Sequence, residues 1–119
     1  MSASPVDAAV PPFSLHTSVE GDATIVQCTG RLTAGLTDIL RDEVKRVIPH
    51  SKKVVLDLTQ VTKMDSMGLG TIVGLYVSAK GAGSKLVVIN LSPRVRDLFR
   101  MTNIFSILDE YAEHIIRTP

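Results

Sequence analysis

The sequence predicts an α/β domain in which helices pack on a mixed β-sheet of about four to five strands. Three observations predict it. Two strand-like runs near the start are separated by Gly21-Asp22, a turn that closes an antiparallel hairpin. Apolar residues then recur at helical spacing from Thr33 to Ile48. Finally, two short β-branched runs, Lys53 to Leu58 and Lys85 to Asn90, bracket a further helical stretch. Strand, helix, strand in that order implies a parallel pair with a right-handed crossover.

The 119 residues suit one domain, since a chain of this size buries most of its apolar surface in one core and has no room for a second unit. Pro5, Pro11 and Pro12, set among small and polar side chains, predict a flexible tail over residues 1–12, with the folded domain at 13–119. Phe13 to Glu20 and Ala23 to Thr29 are the hairpin strands. In the first helix Leu36, Ile39, Leu40, Val44, Val47 and Ile48 form one face, and Asp38, Arg41, Asp42, Lys45 and Arg46 the other. Thr33 or Thr37 can cap its start, and Pro49 stops it by disfavouring helical geometry in the preceding residue.

Lys53 to Leu58 reads as a central strand covered on both faces, followed by a loop from Thr59 to Asp65. A second helix is expected from Ser66 to Lys80, ending at Gly81 and Gly83. Ser92 before Pro93 marks another helix start, because the serine caps and the proline needs no N–H at the first position. Val95, Leu98 and Phe99 give that helix an apolar face, and Asn103 can take the left-handed conformation that ends it. An edge strand from Phe105 to Leu108 and a terminal helix from Asp109 complete the expected fold.

A net charge of +1 offers no broad attraction for nucleic acid or an anionic membrane. Lys45, Arg46, Lys52 and Lys53, and likewise Arg94, Arg96 and Arg100, read as solvated surface and are assigned no ligand. The single cysteine, Cys28, excludes an internal disulfide and sits in a strand-like run, where it packs as a small apolar residue. His16, His50 and His114 are scattered without metal-ligand spacing, so neither a metal nor any cofactor is expected, and no catalytic residue is assigned. No apolar run approaches the roughly 20 residues of a membrane span, and the start lacks the basic and apolar regions of a signal peptide. A soluble cytoplasmic protein is the expectation.

The most informative stretch is Met64-Asp65-Ser66-Met67-Gly68-Leu69-Gly70, just beyond a buried strand and opening a helix. Leu69, Ile72, Val73 and Tyr76 mark the core face of that helix. Gly68, Gly70 and Gly74 each cost it about 1 kcal/mol relative to alanine, so something must compensate. Close contact with the sheet and close approach by a ligand or partner backbone both fit. From spacing alone, Ser66 reads as an N-cap. The glycines also resemble a loosened dinucleotide fingerprint, but Val73 stands at the last glycine position, a loop is expected before the helix, and no P-loop Lys-Ser or Lys-Thr follows.

The run Val54 to Tyr76 with its Asp-Ser-x-Gly-Leu-Gly element, together with Gly30-Arg31-Leu32, Leu91-Ser92-Pro93, Val95, Leu98 and Phe99, resembles the STAS domain of bacterial anti-sigma factor antagonists. The resemblance extends from about Phe13 to the C-terminus. It implies a non-enzymatic partner switch. In that family the serine at the position of Ser66 is phosphorylated by the anti-sigma factor itself, a serine kinase with a histidine-kinase-like ATPase fold, and a serine phosphatase reverses the modification. Thr33, Met64, Asp65, Ser66, Met67, Gly68 and Leu69 are the partner-binding residues the resemblance implies. Two positions depart from the family pattern: Thr33 stands where many phosphorylated members carry aspartate, and Met67 where a small residue usually follows the serine. The rival expectation is a STAS subunit that is never phosphorylated, as in a phospholipid ABC transport complex.

Overall fold

The computed structural model describes residues 10–103 and 111–112. Its elements are β1 (Phe13–Glu20), β2 (Ala23–Leu32), α1 (Thr37–Val47), a short 3₁₀ turn (Ile48–His50), β3 (Lys53–Met64), α2 (Ser66–Gly81), β4 (Lys85–Ile89), α3 (Pro93–Met101) and β5 (Tyr111–Ala112). The strands form one mixed sheet in the order β1-β2-β3-β4-β5. β1 and β2 pair antiparallel around Gly21-Asp22, and every later pairing is parallel.

The hairpin, the parallel β3–β4 pair and the helix between them are as the sequence predicts. Two strands run further than expected. β2 continues to Leu32 and β3 to Met64, so that Gly30 lies opposite Val61 and Leu32 opposite Met64. The expected loop from Thr59 to Asp65 is therefore strand up to its last residue. Its polar side chains are misleading because Thr59, Gln60, Thr62 and Lys63 are exposed while Val61 turns into the core and Met64 packs against it. Irregularities in the β2–β3 register, between Gln27 and Thr29 and between Gly30 and Arg31, disturb the two-residue alternation that would have signalled a strand.

Gly30 shows why β2 can extend. A Cβ there would lie 2.2 Å from the Pro12 carbonyl oxygen, and its φ of +103° suits glycine. Through that gap the Arg31 N–H donates to the Pro12 carbonyl at 2.8 Å, so the end of the expected tail is tied to the sheet.

α1 begins later than expected. Leu36 is its N-cap and supplies no side-chain hydrogen bond. Thr37 is the first helical residue and is buried, while the Thr33 carbonyl accepts the Leu36 N–H at 3.0 Å in the preceding turn. Neither threonine is thus a cap. Ile48 falls in the 3₁₀ turn that Pro49 imposes, and Ile39 is 43% exposed rather than buried. α3 follows the expected pattern: the Ser92 hydroxyl accepts the Val95 N–H, Pro93 leads the helix, and Asn103 has a φ of 59°. β5 pairs with Val88 and Ile89, placing a strand at Tyr111–Ala112 where a terminal helix was expected. The edge strand expected over 105–108 and the rest of that helix lie outside the described residues, as do residues 1–9 of the tail.

One face of the sheet holds the main core. Val26, Leu56, Leu58 and Val88 meet Leu40 and Val44 of α1, Ile72 and Leu75 of α2, and Phe99 of α3, all essentially without solvent contact. Leu75 takes the inward place expected of Val73, which is only half-buried. The opposite face carries a separate buried cluster, Ile25, Val55, Val87 and Ile89, so the central strands are covered on both faces. Fully burying one such side chain stabilises the fold by about 1.5–3 kcal/mol.

Cys28 belongs to the main core. Burial, with a smaller contribution from the Asp57 charge, pushes its thiol up to about 12. At pH 8 a displacement of that size leaves roughly a thousandfold less thiolate than in the unfolded chain. Disulfide-exchange reagents such as Ellman's reagent should label Cys28 at a rate limited by unfolding, rising with denaturant; rapid labelling of the native protein would contradict its placement.

Candidate functional site

The site stands where β2 and β3 end side by side, the carboxyl edge of a parallel sheet. Only Asp65 separates β3 from α2. Its extended backbone makes it the N-cap, and one side-chain oxygen accepts the Gly68 N–H at 3.0 Å. The other accepts the Ala34 N–H at 2.9 Å, reaching the loop between β2 and α1. Ser66, expected as the cap, is the first residue of the helix instead. An aspartate caps as well as a serine and adds a charge that the helix N-terminus favours. Ser66 is thereby released from a structural task and stands exposed.

The Ala34 N–H, followed by that of Gly68, holds the Asp65 carboxyl below its ordinary value. Both bonds favour the ionised form. Asp65 therefore remains an anion throughout the physiological range, immediately beside the serine.

The sequence-derived site residues divide by burial. Ser66 and Met67 are exposed, Met67 at 56%, while Asp65 and Thr33 are half-buried. Met64 is half-buried and packs against the core. Gly68 and Leu69 are buried, so they seat the helix rather than present a surface.

The glycines separate in the same way. A Cβ on Gly68 would lie 2.2 Å from the Leu32 carbonyl oxygen, so this glycine lets α2 start directly against β2. Added at Gly70 or Gly74, it would meet no other described part of the chain within 4 Å. These two line an open groove of about 330 Å³, shared with Ser66, Met67, Arg41 and Lys45. Arg41 crosses the groove, its Nη2 lying 3.5 Å from the Thr71 hydroxyl on α2. The same guanidinium forms an exposed ion pair with Asp38. Sequence reading assigned Arg41 and Lys45 to a solvated helix face; their four-residue spacing, matched by that of Gly70 and Gly74, is the signal that could have found the groove.

Of the arguments against a dinucleotide site, the intervening loop does not hold, since β3 leads straight into α2. A stronger one replaces it. Asp65 already takes the Gly68 N–H of the first turn, and a pyrophosphate there would meet a carboxylate. Among the described residues, no three His, Cys, Asp or Glu side chains gather as metal ligands, and no helix is long and apolar enough to cross a membrane.

The STAS domain family model matches residues 14–118. A STAS-domain containing protein of Pseudomonas aeruginosa is 31% identical over 86 residues, covering 72% of this chain and 85% of that protein. The anti-sigma F factor antagonist of Paenibacillus polymyxa is 30% identical over 93 residues, covering 76% and 80%. The chain belongs to the STAS-domain family, and the relatives that match it include anti-sigma factor antagonists. Solved structures share the fold. An anti-sigma factor antagonist from Mycobacterium paratuberculosis superposes with a TM-score of 0.75 at 18% identity, covering 83% of this chain and 85% of that one. The Bacillus cell fate determinant SpoIIAA in its phosphorylated form gives 0.63 at 18% identity, covering 82% and 89%.

Two outcomes test the geometry. Gly68→Ala should destabilise the domain by about 1–3 kcal/mol through overpacking, whereas Gly74→Ala should leave it unchanged or raise stability by up to about 1 kcal/mol. Urea titration of both variants measures this. Asp65→Asn should cost about 1 kcal/mol at neutral pH, because an amide has one acceptor oxygen for two N–H groups. Asp65 is more acidic folded than unfolded, so its ionic contribution is complete above the unfolded value of about 4 and fades as pH falls through the folded one. The difference between wild type and Asp65→Asn should accordingly shrink below about pH 4.

Proposed function

We propose that this chain is an anti-sigma factor antagonist that docks through the surface around Ser66 on an anti-sigma factor of the histidine-kinase-like ATPase type, and that phosphorylation of Ser66 by this partner ends the complex. The observation that carries the reading is an exposed serine hydroxyl, freed from capping by Asp65, at the edge of an open groove. Membership of a family with anti-sigma factor antagonists among its matching relatives supports the choice of partner. The chain performs no catalysis of its own in this reading. It acts in the cytoplasm, as substrate and ligand of the kinase.

The surface suits both roles. Met67 offers a flexible apolar contact beside the serine, and Gly70 and Gly74 let a partner approach the helix backbone closely. Thr33 borders the same edge, held there by the Asp65–Ala34 bond. In the modification, the Ser66 hydroxyl oxygen bonds to the γ-phosphorus of ATP, its proton passes to a base of the kinase, and ADP departs. A serine phosphatase returns the phosphoryl group to water and restores the hydroxyl.

The new group carries about −1.5 to −2 charges at neutral pH and arrives next to the Asp65 carboxylate. Docking would then require desolvating two adjacent anions. Weakening the complex a hundredfold takes only about 2.7 kcal/mol.

Incubation with the kinase-type anti-sigma factor and ATP should add one phosphoryl mass that maps to Ser66 and is lost in Ser66→Ala. In calorimetry Ser66→Ala should bind the unmodified-state partner like wild type, and Ser66→Asp should bind about a hundredfold more weakly. Equal affinity of the two variants would overturn the switch.

A further inference from the structure

The first turn of α2 resembles a site for the phosphate on Ser66, but the Asp65 carboxylate already caps it. The Gly68 N–H points to one oxygen of Asp65, and the carboxylate itself stands beside the serine. A dianion on Ser66 gains little from the helix end and is repelled by its neighbour. It needs cations from elsewhere in the fold.

Arg41 and Lys45 share the groove with Ser66. Arg41 already leans across it towards Thr71, whose hydroxyl donates to the Met67 carbonyl at 2.9 Å in the first turn of the helix. Thr71 lies about 7.5 Å along the axis from Ser66 and about 140° around it, while Gly70, four residues on, shares the face of Ser66 and has no side chain, so the long arginine reaches an extended phosphoserine across that bare glycine. The present partner of Arg41 is Asp38, whose side chain is 80% exposed. An ion pair in open water is weak, whereas a guanidinium binds phosphate oxygens through two parallel N–H bonds. Among the described residues, the acids bound to or beside these groups are Asp38 on α1, paired with Arg41, and Asp65, next to Ser66; Asp42 is exposed on α1.

We propose that the α1–α2 groove is an internal receptor for phosphoserine 66, in which Arg41 leaves Asp38 and, with Lys45, takes the phosphate. The inference rests on Ser66 being the modified residue. The modified state then does more than repel the partner, because the Arg41–phosphate pair lies over Gly70 and Gly74 and fills the surface where a partner backbone would approach. In the unmodified protein Arg41 leans across the groove towards Thr71; in the modified one Arg41, Lys45 and the phosphate fill it.

The test uses the full chain with phosphoserine introduced at position 66 during translation, so that no kinase or partner enters. Phosphorus NMR against pH reads the second ionisation of the phosphate, which for unrestrained phosphoserine lies at about 6. In the wild-type chain it should fall by about one unit, the size of effect an adjacent opposite charge produces. Arg41→Gln should restore most of that drop and Lys45→Gln part of it. Asp38→Asn should deepen it by freeing Arg41. Arg94→Gln, at an exposed position of α3, should change nothing. Gln keeps helix propensity close to that of Arg and Lys, so these exposed or half-exposed substitutions leave the fold in place. Identical titration of wild type and Arg41→Gln would overturn the receptor while leaving phosphorylation by a kinase open. Failure of any kinase to modify Ser66 would end the functional reading without changing this measurement.

Discussion

The Asp65 carboxylate joins two parts of the chain that lie 31 residues apart in sequence, holding the Ala34 N–H with one oxygen and the Gly68 N–H with the other. Neither bond is unusual by itself. Together they set the loop before α1 against the start of α2, and that fixes which side chains share the edge of the sheet. A neutral cap would satisfy the helix equally well but could not serve both N–H groups with charged acceptors. By taking the cap position, Asp65 also turns the next residue outward. The exposure of Ser66 is a consequence of its neighbour's chemistry.

That arrangement depends on strands long enough to deliver it. If β2 and β3 stopped at Thr29 and Leu58, the ends of the two segments would be separated by flexible chain. Continuing them to Leu32 and Met64 carries backbone pairing to the last residue before the cap. The contact of Gly68 with the Leu32 carbonyl depends on the same extension, since the helix begins against the final residue of β2. Strand length, cap and glycine are one structural solution, and each residue in it would be costly to change alone.

Much of this was legible in the sequence. The hairpin, the amphipathic α1 and the strand–helix–strand unit follow from periodicities that packing later enforces. The Ser92-Pro93 start and the Asn103 stop were equally plain, because capping is local chemistry. The misplaced boundaries share a different cause. Thr59 to Lys63 looked like a loop since a strand edge can present polar residues to water while its backbone pairs, and backbone pairing leaves no trace in composition. Asp65 and Ser66 are both good caps, so local rules leave the choice open; in the structure Asp65 caps and also holds Ala34, a residue that no local rule connects to it. The glycines were ambiguous for the same reason. Only the tertiary neighbours of Gly68, and the lack of any among the described residues at Gly70 and Gly74, separate a packing glycine from a surface one.

A reversible modification works best where neither state disturbs the fold. Domains of this size are stable by about 5–15 kcal/mol, and a hundredfold change in affinity takes about 2.7. If the phosphate displaced the cap of α2, much of that energy would be drawn from the stability of the domain, and the modified form would tend to unravel at its first turn. Here the cap belongs to Asp65, whose bonds do not involve the serine hydroxyl. In the proposed switch the energy of modification would therefore be expressed at the surface, in the desolvation of two neighbouring anions and in the side chains of the groove. Separating the residue that holds the helix from the residue proposed to carry the signal would let one fold support two binding states.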